Sequence, residues 1–134
     1  MKKNEPEING EWPDLEGKTL QELLAQECWY QKDLEEEANV ILIKAEGTWH
    51  HLYFDMGTLF CRMSQDEPHE ITTEDRAEIS YHLRDLGVDL DLVGRVIKSC
   101  SAKVIPGGSK VEIGFEGGKK ISFKNVDNMT SYET

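Results

Sequence analysis

The residues best suited to chemistry in this chain of 134 are its four histidines, three cysteines and 26 carboxylates. His50 and His51 stand shortly before Asp55. On a strand, adjacent side chains point to opposite faces, so at most one of these histidines can join Asp55 in a metal site. His69 and His82 are isolated in sequence, and nothing in their spacing supplies the three protein ligands that catalytic zinc requires. Cys28, Cys61 and Cys100 form an odd set without C-x-x-C spacing, each among apolar neighbours. They read as small buried thiols rather than a disulfide framework, a zinc knuckle or a nucleophile. A G-x-S-x-G elbow is missing. The pairs Gly107–Gly108 and Gly117–Gly118 lack the phosphate-loop frame and precede strands, so they read as turns. Acid–base work by two carboxylates needs a specific pair, and with this many no pair stands out. The expectation is therefore no catalytic residue, no metal and no cofactor.

The acidic groups suggest a surface instead. Net charge is -11, and it is unevenly spread: residues 1–37 and 66–92 each sum to -7, residues 38–65 are neutral, and residues 93–134 sum to +3. A phosphate backbone would be repelled by most of the chain, so nucleic acid is not the expected partner. Glu35, Glu36 and Glu37, with Asp89 and Asp91, are the candidate partner-binding residues. Their functional reading is an acidic surface that meets a basic protein, and their bland reading is solvated faces. The aromatic set Trp29, Tyr30, Trp49, Tyr53, Phe54 and Phe60 divides similarly between core and the lining of a ligand pocket.

These groups must be positioned by a single domain spanning residues 1–134, with 1–12 and 126–134 as loose tails. Hydrophobic residues make up 38% and charged residues 31%, a globular balance. No run approaches the ~18 apolar residues of a membrane span, and no apolar segment follows the N-terminal lysines, so the cytoplasm is the expected compartment. Thr19 and Glu22 have capping-box spacing, and Leu20, Leu23 and Leu24 share a helical face, which predicts a helix over 19–27. Cys28 to Tyr30 fits helix or strand, and Glu35 to Glu37 reads as an acidic turn. Val40 to Ile43 is a strand buried on both faces, and strands at 49–54 and 58–63 complete a meander, with Asp55, Met56 and Gly57 as a hairpin connection.

Residues 64–73 form a polar loop. Residues 74–86 satisfy helix start and stop rules, with Gly87 as the stop, yet Ile79, Tyr81 and Leu83 also alternate as in a strand; the spacing favours a helix. Val88 to Val93 is a turn into Gly94. Strands follow over 96–105, interrupted near Ser99 and Ser101, and over 111–115 and 121–123, with Gly117 and Gly118 as the tip of a two-residue hairpin. The predicted class is α+β: an antiparallel sheet or two packed β-meanders of about six strands, with one or two helices.

Trp49, Leu52, Tyr53, Phe54, Asp55, Gly57, Thr58, Phe60 and Arg62 resemble a W-x-x-L-Y-F-D-x-G-T-x-F-x-R stretch found in small bacterial proteins of uncharacterised activity. Asp85, Leu86 and Gly87 and the closing Gly-Gly hairpin fit the same type, and the likeness covers about half the chain. In size and acidity the chain is similar to the immunity proteins that neutralise bacterial toxins, a likeness of type without a shared motif. It implies a non-enzymatic protein-binding module, an inhibitor whose acidic surface meets a basic partner. The alternative is a small-molecule-binding or catalytic domain with a pocket lined by aromatics and a histidine.

Overall fold

The computed structural model describes residues 4–72 and 78–134, and leaves the side chains of Ile71 and Thr72 aside. The described residues form eleven strands and one short helix: β1 (Glu7–Gly10), β2 (Glu22–Tyr30), β3 (Asp33–Ala45), β4 (Thr48–Asp55), β5 (Thr58–Ser64), β6 (Ile71–Thr72), β7 (Ile79–Asp85), α1 (Leu86–Asp89), β8 (Ile97–Ile105), β9 (Gly108–Phe115), β10 (Lys120–Val126) and β11 (Met129–Glu133). They build two sheets. The larger runs β1-β5-β4-β3-β2-β7-β6, and the smaller runs β11-β10-β9-β8. Every pairing is antiparallel except β1 with β5.

The expected α+β class is overturned: this is a nearly all-β sandwich. Alternation along each strand sends one set of side chains between the sheets. Leu23, Ala25, Ile41, Ile43, Leu52, Leu59 and Cys61 come from the large sheet and meet Ile97, Cys100, Val111, Ile113, Phe115, Ile121 and Phe123 from the small one in a single core.

The helix expected over 19–27 is strand β2. Leu20 and Leu23 do share a buried environment, but Leu24 lies in a separate cluster with Leu42 and Trp49. A strand buried on both faces places apolar residues at successive positions, and here that run imitates the i, i+3, i+4 pattern of a helix. Pairing with β3 on one side and β7 on the other then outweighs the local preference. Thr19 makes an isolated bridge to Val96 instead of capping a helix, and Glu22 pairs with Lys44 across the sheet.

The second expected helix fails for the same reason where it is described. Residues 79–85 are strand β7, joined to β2 from Leu24↔Asp85 to Tyr30↔Ile79, whereas 73–77 lie outside the described residues. The only helix among the described residues starts where that prediction stops. Asp85 caps α1, its Oδ1 accepting from Val88 N at 3.1 Å. Gly87 lies inside this turn, because a Cβ there would stand 2.8 Å from Val93 Cγ2 and 3.1 Å from Leu23 N.

The meander over 39–63 is present as β3, β4 and β5, with longer strands than expected. Its second connection is the two residues Met56 and Gly57, with φ of 51° and 85°, the left-handed pair of a tight hairpin. Glu35, Glu36 and Glu37 lie within β3 rather than in a turn. Gly117 and Gly118, with φ of 94° and 91°, lie at the tip of the β9–β10 hairpin as expected, in a loop longer than two residues that is closed by Phe115 N donating to Lys119 O. The segments expected to be loose tails contain β1 and β11.

Candidate functional site

The unusual surface of this sandwich is the outer face of the large sheet. A sheet with one face on a core normally turns polar residues outward. Here many cross-strand neighbours on that face are apolar or aromatic: Leu24, Leu42 and His51 lie in register, Leu83 and Val40 flank Gln26, and Tyr53 lies opposite Phe60. Trp49, on the same face of β4 as His51, is fully buried with Leu24 and Leu42, and Val40 and Leu83 pack against them. Tyr53 and Phe60 stack with centroids 5.1 Å apart and planes 4° from parallel. The Arg62 guanidinium lies 5.5 Å from the Phe60 ring centre and is held by Asn9, whose backbone O and Oδ1 accept from it at 2.8 and 2.7 Å. Tyr, Phe and Arg on a rigid half-buried platform are the residue types that carry binding energy at protein interfaces.

Part of this face is covered from within the chain. Residues 65–70 leave the end of β5 and reach the far edge at β6 and β7, forming a strap. One side is held by Gln65 Nε2 donating to Thr48 Oγ1 at 3.3 Å and by Lys44 Nζ on Glu67 Oε1 at 3.0 Å. At the other side, Leu83 N donates to Glu70 Oε2 at 3.0 Å, and His82 Nδ1 lies 3.4 Å from the same oxygen. The lysine holds the Glu67 carboxyl below the usual carboxylate range, with a smaller contribution from the Trp49 indole N–H, which is directed at that carboxylate.

Under and beside the strap is a cavity of about 300 Å³ with Val40, Leu42 and Leu83 as its apolar lining and Gln26, His51, Asp66 and His69 among its polar groups. Burial lowers the pKa of His51, so its ring is neutral near pH 7, and among the described residues its buried Nε2 has no hydrogen-bond partner. The strap residues were legible in sequence only as a polar loop. Their length was the one available signal, since a loop of this size between strands exceeds a hairpin connection.

The candidate acidic residues fall into two places. Glu36 and Glu37 serve the fold: Thr130 N donates to Glu36 Oε2 at 2.6 Å and Tyr132 N to Glu37 Oε1 at 3.3 Å, so two carboxylates satisfy outward-facing amides of edge strand β11. Glu35 is exposed beside them. Asp89 pairs with Arg84 at 3.2 Å, and Asp91 pairs with Arg95 at 3.0 Å and Lys119 at 3.5 Å. The two groups approach one another at Tyr132, which feels the charges of Arg84, Glu37, Glu27 and Asp89; burial, before any of these charges, raises its pKa. Around Tyr132 the carboxylates of Glu27, Glu37 and Asp89 thus surround the guanidinium of Arg84.

His50 and His51 point to opposite faces of β4, as strand geometry requires. His50 turns inward and is 7% exposed, with its pKa lowered first by burial and then by the Lys18 charge. Among the described residues no three His, Cys, Asp or Glu side chains converge as a metal site. Cys61 and Cys100 are buried free thiols, pushed up by burial to about 11 and about 12, and Cys28 is free and half-buried. No described helix is long and apolar enough to cross a membrane. The chain matches no protein-family model, no curated protein and no solved structure.

Proposed function

We propose that the chain is a non-catalytic binding module that receives another protein on the outer face of its large sheet. The observation that supports this most is the composition of that face. Tyr53, Phe60 and Arg62 are held there in a stacked, hydrogen-bonded array, continuous with apolar Val40, Leu42 and Leu83, where a merely solvated sheet would be polar. The acids at Glu35, Glu36 and Glu37 and at Asp89 and Asp91 lend an attractive field for a basic partner, raising the encounter rate more than the affinity. An inhibitor that masks a basic enzyme, as immunity proteins mask toxins, is one form this reading takes.

The test uses the purified chain as bait at low and high salt, alongside two sets of variants. Tyr53→Ser with Phe60→Ser removes the aromatic pair. Gln at 35, 36 and 37 with Asn at 89 and 91 removes charge but keeps acceptors for the β11 amides. The expected result is a basic partner whose capture is lost with the aromatic pair and whose on-rate falls with salt and with the neutralised acids. Capture indifferent to both sets and to salt rejects the proposal.

A further inference from the structure

The aromatic array on the outer face of the large sheet is closed at one end and open at the other. Phe60 receives the Tyr53 ring, stacked with 5.1 Å between centroids, and the Arg62 guanidinium lies 5.5 Å from the Phe60 ring centre, fixed there by Asn9. Tyr53 gives one face to that stack and also lines a cavity of about 400 Å³, found past Ile41↔Leu52 where the pairing of β3 with β4 ends. The polar groups around this cavity are Glu36, Asn39, Asp55 and Asn128, and among the described residues no cationic side chain lines it. Two acceptors are already in use: Glu36 Oε2 accepts from Thr130 N at 2.6 Å, and Asn128 Oδ1 accepts from Met56 N at 3.2 Å. Glu36 Oε1 and the Asp55 carboxylate have no hydrogen-bond or ion-pair partner among the described residues. A cavity with two carboxylates, an aromatic wall and no cation of its own is complementary to a positive charge. We infer that it is a socket for an arginine side chain of the partner protein, whose guanidinium stacks against Tyr53 and donates to Glu36 and Asp55. The inference rests on the reading of this face as a protein-binding surface, and it names the anchor by which a basic partner is held.

Arginine rather than lysine follows from the shape of what the cavity offers. A guanidinium is planar, carries five N–H donors in a fixed fork and stacks on aromatic rings, whereas an ammonium is a compact, strongly hydrated point charge. The chain makes such a contact once already, with Arg62 beside Phe60, and a second guanidinium beside Tyr53 extends the same stack at its open end. The acceptors stand on two strands, Glu36 and Asn39 on β3 and Asp55 at the end of β4, an arrangement that suits a forked donor able to reach both. About 400 Å³ is room for the guanidinium with its aliphatic stem. Arginine is also one of the residue types that most often dominate the binding energy of an interface, and it does so in pockets from which water is excluded. Glu35, exposed beside Glu36, adds to the attraction without entering the cavity lining.

The probe is N-acetyl-arginine amide, with N-acetyl-lysine amide as the cation of different shape and N-acetyl-citrulline amide as the uncharged isostere. Each is titrated at low salt into the full, isotopically labelled chain while the backbone amides of Asn39, Tyr53 and Asp55 and the ring resonances of Tyr53 are followed. The expected result is saturable movement of these signals with arginine, binding weaker by about threefold or more with lysine, and none with citrulline. Asp55→Asn and Tyr53→Leu, with their folds verified by circular dichroism, are each expected to weaken arginine binding by about threefold or more. The inference is overturned if arginine gives no saturable movement at these positions, if lysine or citrulline binds as tightly, or if either substitution leaves the affinity unchanged. Its failure is distinct from failure of the protein-binding reading: a partner captured through the Tyr53 and Phe60 pair, when free arginine does not bind, removes the socket and keeps the face.

Discussion

Ile43 has no exposed surface and stands between Leu23 and His50 on the core side of the large sheet. Its truncation leaves a cavity that neighbouring strands, paired on both sides, cannot close. Ile43→Ala is therefore expected to cost about 2–5 kcal/mol in denaturant unfolding, and a loss below about 1 kcal/mol would place β3 at the periphery. The buried thiols make a second prediction at this scale. Cys61 and Cys100 hold their protons up to about 11 and about 12, whereas in the unfolded chain they ionise near 9. Between those values the folded state binds more protons than the unfolded one, so stability falls as pH rises above about 9. Thermal midpoints measured from pH 8 to 10.5 should decline, and should decline less in Cys100→Ala. The histidines have the opposite sign. His50 and His51 titrate below their usual value of 6.5, so the stability they support is present above it and is lost as the pH falls.

Among elements, β11 depends most visibly on side chains from elsewhere. As an edge strand it offers outward amides, and Glu36 and Glu37 of β3 accept two of them, tying the small sheet to the large one. An exposed strand edge invites pairing with other chains, and carboxylates placed along it both satisfy the amides and repel a neighbour. Glu36→Ala is expected to cost about 1 kcal/mol and to speed hydrogen exchange at Thr130 and Tyr132 ahead of the β9 and β10 amides. Equal protection factors in the variant and the parent would show that the contact contributes nothing to β11. Gln at position 36 should retain most of the protection, since its amide oxygen still accepts.

At the scale of the whole molecule, the uneven charge of the sequence becomes a spatial polarity. The +3 segment, residues 93–134, forms the small sheet, and Lys103, Lys110 and Lys124 lie in one row on its outer face. Glutamates in the adjacent row temper them: Lys110 lies 3.4 Å from Glu112, and Lys124 pairs with Glu133. The acidic segments supply β1, β2, the start of β3, the strap, β6, β7 and α1, around a neutral centre made of the rest of β3 with β4 and β5. A net charge of -11 on a domain of this size repels itself, so added salt should raise the thermal midpoint by screening that repulsion, surface ion pairs being too weak to reverse the trend. A midpoint that falls between 20 and 300 mM sodium chloride would mean that the ion pairs dominate instead.

Local chemistry in the sequence was sufficient for several strands with one buried face and for turns that demanded a particular backbone, although not for β7, β1 or β11. Val111, Ile113 and Phe115 announced β9 by strict alternation, Gly57 and the Gly117–Gly118 pair marked hairpins, and adjacent His50 and His51 had to face opposite ways. Compositional polarity and the burial of Cys61 and Cys100 were equally legible. Tertiary structure decided whatever depended on what lay across the chain. Leu23 and Leu24 are both buried because β2 is central and covered on each face, a circumstance that no local period reports, so a strand imitated a helix. Glu36 and Glu37 resembled a solvated turn because the amides they accept from lie more than ninety residues away. The strap and its cavity were hidden for the same reason: they exist only where a polar loop crosses the face that Trp49 and His51 share, and that crossing follows from the order of the strands.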